Sequence, residues 1–333
     1  MDMAVGHKKG GERMEQPLMG WEKQYRSTVN RIAVALLVFY GLFNVYSLVM
    51  SYLVPLAAAW LSYPFYTVFY EGISGLLYAA VFLVPVLVFV LISKHSPRMP
   101  LDLRLSLPRE TPLYIFAVVA LVSAAGYVNS WILEPLDYRA FTDEMLFDVG
   151  AKTNVELLLT FFTLCIVPAF VEELLFRGVI LKNLLPFGRT TAVLASALLF
   201  GVMHQNAGQL LYATVAGLAL GYVFLRTGSF WCCVLIHFCN NFLSLFTSTL
   251  WERLPQKSAT SLLFAVECAV FIFGIVAAVL LALSVKSDQA HRSDEEMIPL
   301  ACRVRLFFAP PMVVYFALCL AQIASLVLLA LWF

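Results

Sequence analysis

The sequence predicts an all-α protein, a polytopic transmembrane helical bundle of about eight or nine spans with a cavity among its core helices. Three observations carry that reading. Hydrophobic residues make up 61% of the 333 and charged residues 13%, with a mean hydropathy of +0.84, whereas soluble domains carry about 25% charged residues. Apolar runs near the ~20 residues that cross a bilayer recur along the chain. The longest polar stretches, residues 1–28 and 285–298, are too short to bury a core of their own.

Apolar runs place spans at 32–53, 72–93, 112–133, 155–180, 190–207, 209–226, 230–250, 260–284 and 311–332, which makes nine. They group into an N-terminal segment 1–31, N-terminal membrane helices 32–135, core helices 155–250 and C-terminal membrane helices 260–333. Between the first two spans, Val54–Tyr70 is apolar and aromatic but holds Pro55 and Pro64, so an interfacial or re-entrant segment is expected there, with Glu71 at the water boundary. Residues 1–28 are polar and charged, so no cleavable signal peptide is apparent.

Cytoplasmic loops carry an excess of Lys and Arg, and this tests the map. Lys8, Lys9, Arg13, Lys23, Arg26 and Arg31 precede the first span, and Lys94, Arg98, Arg104, Arg109, Lys182, Arg189, Arg226, Lys286, Arg292, Arg303 and Arg305 fall in alternate loops. The other side has few cations, and its loop 134–154 is acidic. A cytoplasmic N-terminus and a C-terminus on the opposite side are therefore expected, and the membrane expected is the plasma membrane. The net charge of +1, without a concentrated basic patch, gives no case for nucleic acid as a partner. Seven cysteines lie in or beside apolar segments at no metal-finger spacing, and read as small core residues.

Against this background a few polar residues stand out, because an ionisable side chain inside a span costs ~2.5–3.5 kcal/mol even on insertion scales. Glu172, Glu173 and Arg177 lie in the string VEELLFRG after the apolar run Val155–Phe170. Consecutive helix positions are ~100° apart and positions four apart share a face, so Glu173 can pair with Arg177 while Glu172 points elsewhere. A salt bridge that only ties helices together needs one carboxylate; the second is surplus. His204 ends LLFGVMH with Phe200 one turn before it, and His237 shares a face with Asn241 in IHFCNNF. Each histidine alone suits an interhelical hydrogen bond as well as chemistry. The other three, His7, His95 and His291, lie in polar segments. Glu267, mid-way along the run 260–284, suits a structural hydrogen bond, with a proton path as the lesser alternative.

Two chemistries fit this set, and both give hydrolysis. In one, Glu172, His204 and His237 hold a divalent ion such as zinc, which lowers the pKa of a bound water to ~7. In the other, free of metal, Glu172 with His204 activates water while His237 and Asn241 donate hydrogen bonds to the oxyanion of a tetrahedral intermediate.

The ordered motifs Glu172-Glu173-x-x-x-Arg177, Phe200-x-x-x-His204 and His237-x-x-x-Asn241 resemble the CAAX-protease and bacteriocin-processing family of intramembrane proteases, also called the Abi family. The resemblance covers residues 155–250. It implies that Glu172, His204, His237 and Asn241 are catalytic, with Glu173, Arg177 and Phe200 in support. It also implies cleavage of membrane-associated peptide or protein substrates, such as prenylated tails or leader peptides, and it leaves the metal question open.

Other readings weigh less. Gly72-Ile73-Ser74-Gly75 matches the GxSG nucleophile motif of rhomboid proteases, but there the histidine and asparagine helix precedes the serine, the reverse of the order here; the glycines read as helix packing. Intramembrane Glu and His also build proton-coupled transporters, although the repeats usual in transporters are not apparent. A non-catalytic immunity or scaffold member of the family is the third alternative. Ala213, Gly217 and Gly221 form a small-residue stripe suited to close helix packing within the chain.

Overall fold

Ten helices account for almost all of the ordered backbone in the computed structural model, which describes residues 12–62, 65–93, 105–134, 153–284 and 298–332. No strand occurs among the described residues. Helix α1 runs from Glu12 to Leu48 and continues through a π-helical turn, Val49–Leu53, into Val54–Ala58. Next come α2 (Phe65–Ile92) and α3 (Thr111–Leu133). Helix α4 (Asn154–Phe187) is followed by the short α5 (Arg189–Val202). Helices α6 (Ala207–Thr227), α7 (Phe230–Arg253) and α8 (Gln256–Ser284) complete the core. The chain ends with α9 (Leu300–Phe307) and α10 (Pro310–Trp332).

Eight of these helices are long and apolar enough to cross a membrane, so the protein is an integral multi-pass membrane protein. Large apolar side chains such as Leu76, Ile275 and Leu328 face outward, as lipid as the surrounding solvent permits. The expected ninth span, 190–207, is absent. Helix α5 has 14 residues, and at 1.5 Å per residue it falls short of a ~30 Å hydrocarbon core. The chain turns at Met203–Asn206 instead: the His204 and Gln205 amides donate to the Gly201 and Val202 carbonyls, and Gln205 takes φ 53°. Asn206 then caps α6 by accepting from the Gly208 amide at 2.7 Å.

Two further expectations need correction. Val54–Tyr70 is not a separate re-entrant segment; it supplies the end of α1, a turn and the start of α2. Pro55 sits in the first turn of Val54–Ala58, directly after the π-helical turn. Glu71 is not at a water boundary either. It is buried on α2 and accepts from Thr160 and Thr163 of α4, each at 2.9 Å. The acidic loop residues 135–152 and the loop cations Lys8, Lys9, Lys94, Arg98, Arg104, Lys286 and Arg292 lie outside the described residues.

Small residues set the closest approaches. Gly217 and Gly221 of α6 lie against Ala197 and Val193 of α5, where a Cβ on Gly217 would meet Ala197 Cα at 2.8 Å. The stripe therefore packs within the chain, as expected. Gly75 lies against Thr163, whereas a Cβ at Gly72 would meet nothing within 4 Å. Aromatic and aliphatic side chains of α1, α2, α4, α5 and α10 form the main core, including Leu36, Phe82, Phe176, Leu199 and Tyr315. All seven cysteines are free.

Candidate active site

Helix α4 is interrupted where the charged residues fall. Its α-helical pieces alternate with π-helical stretches at Phe162–Ile166 and Leu174–Leu181, on either side of Val167–Glu173. Such bulges recur at functional sites because an extra residue per turn re-aims neighbouring side chains. Pro168 contributes to the irregularity. It has no N–H for the carbonyl four residues earlier, and that carbonyl, Leu164 O, accepts from the Asn241 side-chain amide at 3.1 Å. Asn241 thus ties α7 to α4 with one N–H and keeps the second free for other work.

Behind the site lies a buried ion network. Glu173 and Arg177 are fully buried on one face of α4 and pair at 2.9 Å. The Arg177 guanidinium also donates to the Gly217 carbonyl of α6 at 3.1 Å and sits 5.0 Å from the Phe200 ring centre, a cation–π distance. The same Glu173 oxygen accepts from His237 Nδ1 at 2.9 Å. A carboxylate can only accept, so this contact puts a proton on Nδ1 and turns Nε2 toward Glu172, whose Oε2 is 3.9 Å away. His204 is fixed in the same manner: its Nδ1 lies 2.8 Å from the Phe200 carbonyl, which also only accepts, so its Nε2 carries the lone pair. Phe200 packs edge-on against both imidazoles, with centroids 5.3 Å from His204 and 5.8 Å from His237.

Glu172 is 2% exposed and points away from Glu173, as the helical rotation requires. Its Oε1 accepts from the Tyr78 hydroxyl of α2 at 2.6 Å, and its Oε2 has no hydrogen-bond partner. A cavity of about 410 Å³ is lined by Tyr78, Glu172, Phe200, His204, His237 and Asn241, together with apolar residues of α3, α6 and α7 and with Glu267 of α8. The structure therefore brings four of the sequence-selected polar residues to one cavity wall and sets Glu173 and Arg177 behind it. It corrects one position: His204 lies in the α5–α6 turn and not inside a span.

Ser74 is elsewhere. Its hydroxyl bonds that of Tyr46 at 2.9 Å, and it does not line the cavity. Tyr78 is the residue that the sequence did not mark. It lies seven positions after Glu71, on the face of α2 that meets α4; a phenol within an apolar run, in phase with a buried glutamate, was the available signal.

Donor chemistry also bears on a metal. Glu172, His204 and His237 are suitable ligand types, but among the described residues no three His, Cys, Asp or Glu side chains are grouped to hold an ion.

Against known proteins, no curated protein and no solved structure matches the chain. Residues 154–243, the stretch from the start of α4 into α7, match the family model described as type II CAAX prenyl endopeptidase Rce1-like. All three motifs and every residue of the ion network fall inside that stretch. Over these helices the chain is similar to that family model, which agrees with the resemblance its motifs carry.

Proposed function

We propose that the protein is an intramembrane endopeptidase that hydrolyses peptide bonds of membrane-associated substrates with water activated by Glu172. The observation that carries this reading is the unpartnered Oε2 of a buried carboxylate 3.9 Å from His237 Nε2 on a cavity wall. One oxygen atom seated ~2.8 Å from each group fits beside the pair. An orphaned polar atom of this kind is where a buried water is expected.

Chemistry follows from the hydrogen bonds. Glu172 Oε2, aided by the His204 Nε2 lone pair, takes a proton from water as its oxygen adds to the scissile carbonyl. Charge develops on the former carbonyl oxygen, and Nε2–H of a protonated His237 with the free N–H of Asn241 stabilises it. Glu173 at Nδ1 holds His237 in orientation. Collapse of the intermediate breaks the C–N bond, and Glu172 returns its proton to the departing amine. A cytoplasmic N-terminus and a plasma-membrane location belong to the same proposal; the orientation is supported by the cations before the first span and by Arg109, Lys182 and Arg189, the loops whose side the loss of the ninth span leaves unchanged.

Tyr78 is a positioning residue in this scheme. Removing a hydrogen bond to a charged group is worth ~1.5–3 kcal/mol, so Tyr78→Phe is expected to lower kcat about 10- to 100-fold with little change in KM. The phenyl ring retains its packing against Phe82 and Tyr46, so folding is preserved. An unchanged kcat removes Tyr78 from the mechanism.

Purified protein in liposomes, supplied with membrane-inserted peptides, tests the chemistry itself. Hydrolysis is expected to persist after exhaustive treatment with chelators and in Ser74→Ala. Loss of activity on chelation, restored by zinc, favours the metal alternative. Loss in Ser74→Ala with retention in Glu172→Gln reverses the assignment. Proton-driven uptake by the same vesicles, without cleavage, favours the transporter.

A further inference from the structure

Glu267 is a second carboxylate on the cavity wall, contributed by α8 and outside every motif. Its partner is the phenol of Tyr127 on α3, which is 49% exposed, so the pair stands at the rim of the cavity. A carboxylate offers about four acceptor sites, and one phenol uses one of them. A bond that served only to join α3 to α8 needs no charge, whereas a carboxylate mid-way along a span is costly. Gly274 against Ala120 already makes that helix contact.

The cavity's charge is one-sided. Among the described lining residues there are two glutamates and two histidines but no Lys or Arg. Arg177 stands behind Glu173 and is fully buried, so it does not reach the cavity. Among the described lining residues, a carboxylate of the substrate placed beside Glu267 meets no Lys or Arg and faces like charge, which is costly at low dielectric. A cationic N–H donor meets the opposite.

We propose that Glu267, oriented by Tyr127, is a subsite for a basic group of the substrate, so that this enzyme takes peptide segments with Lys or Arg beside the scissile bond. Neutral polar groups nearby, Gln209, Asn240 and Ser244, line the intervening wall and suit the amides of an extended peptide. The inference rests on the endopeptidase reading for its meaning, but the subsite can be tested by binding alone.

A peptide series with Lys, its neutral isostere norleucine or Glu at each position flanking the cleavage site, with the N-terminus free or acetylated, separates the sources of the cation. With the full chain in liposomes, kcat/KM is expected to favour Lys over norleucine at one internal position by about tenfold or more, in acetylated peptides. In Glu267→Gln that ratio is expected to fall toward unity, and Tyr127→Phe is expected to reduce it. An equal rate for norleucine and Lys, a preference for the free N-terminus alone, or a ratio that survives Glu267→Gln overturns the proposal.

Binding of the same fluorescent peptides to Glu172→Gln and to Glu172→Gln/Glu267→Gln provides the second readout. If no peptide is cleaved but Lys-selective binding depends on Glu267, the protease reading fails and the subsite stands. Binding without Lys selectivity overturns the subsite, whether or not cleavage occurs.

Discussion

Glu172→Gln is expected to lower the rate of peptide hydrolysis by at least ~10²–10⁴-fold, the span associated with a positioned general base, while leaving the protein folded. The amide matches the carboxylate in shape and still accepts from Tyr78 at the same oxygen, so the 2.6 Å contact that locks the side chain persists. Basicity at the second oxygen disappears, and with it the proton acceptor for water. His204→Ala and His237→Ala are expected to abolish turnover too, the first by removing the lone pair beside the water, the second by removing an oxyanion donor. Residual activity near wild type in folded Glu172→Gln contradicts the assignment. Rates on the reconstituted protein, with unfolding temperatures measured on the same preparations, check both parts.

The second large effect concerns stability. Arg177→Met is expected to cost ~3–5 kcal/mol, because it strands the fully buried Glu173 carboxylate with His237 as its remaining partner. It also removes the donor to the Gly217 carbonyl and the cation at the Phe200 ring, loosening α4 from α5 and α6 where the glycine stripe packs. Glu173→Gln/Arg177→Met, which neutralises both members, is expected to recover most of that loss. It should not recover activity, since His237 loses the carboxylate that orients it. Thermal unfolding in one detergent measures the first outcome, and turnover measures the second. A single variant as stable as wild type, or a double variant as active, contradicts the supporting role given to this pair.

Much of this architecture was legible in the sequence, for identifiable reasons. Long apolar runs announce spans because lipid tolerates little else, and eight of the nine expected segments lie on long apolar helices. The split of Glu172 from Glu173, and the Glu173–Arg177 pair, followed from helical rotation alone. His237 and Asn241 at i and i+4 were correctly placed on one helix face, although the sequence did not show that Asn241 also satisfies the carbonyl freed by Pro168.

What escaped the sequence depends on tertiary context. Helix α5 reads as a span because 190–207 is apolar, but most of that surface is buried against neighbouring helices, with Leu194 and Leu198 left exposed. Composition does not distinguish the two environments. Glu71 looked like an interface marker because Val54–Tyr70 contains two prolines; only the position of Thr160 and Thr163 shows a buried acceptor. Tyr78 was missed because it belongs to α2, outside the motif-bearing stretch, and pairs with Glu172 across 94 residues of sequence.

The central claim, that the carboxylate of Glu172 drives cleavage of membrane-associated peptides, is tested most directly by mass-spectrometric profiling of membrane-protein termini. Cells producing the wild type are compared with cells producing equal amounts of folded Glu172→Gln. New termini present with the wild type and absent with the variant are expected, and their flanking residues identify the substrates. Identical terminal profiles, with both proteins folded and equally abundant, contradict the claim and leave the transporter and the non-catalytic family member as the readings to pursue.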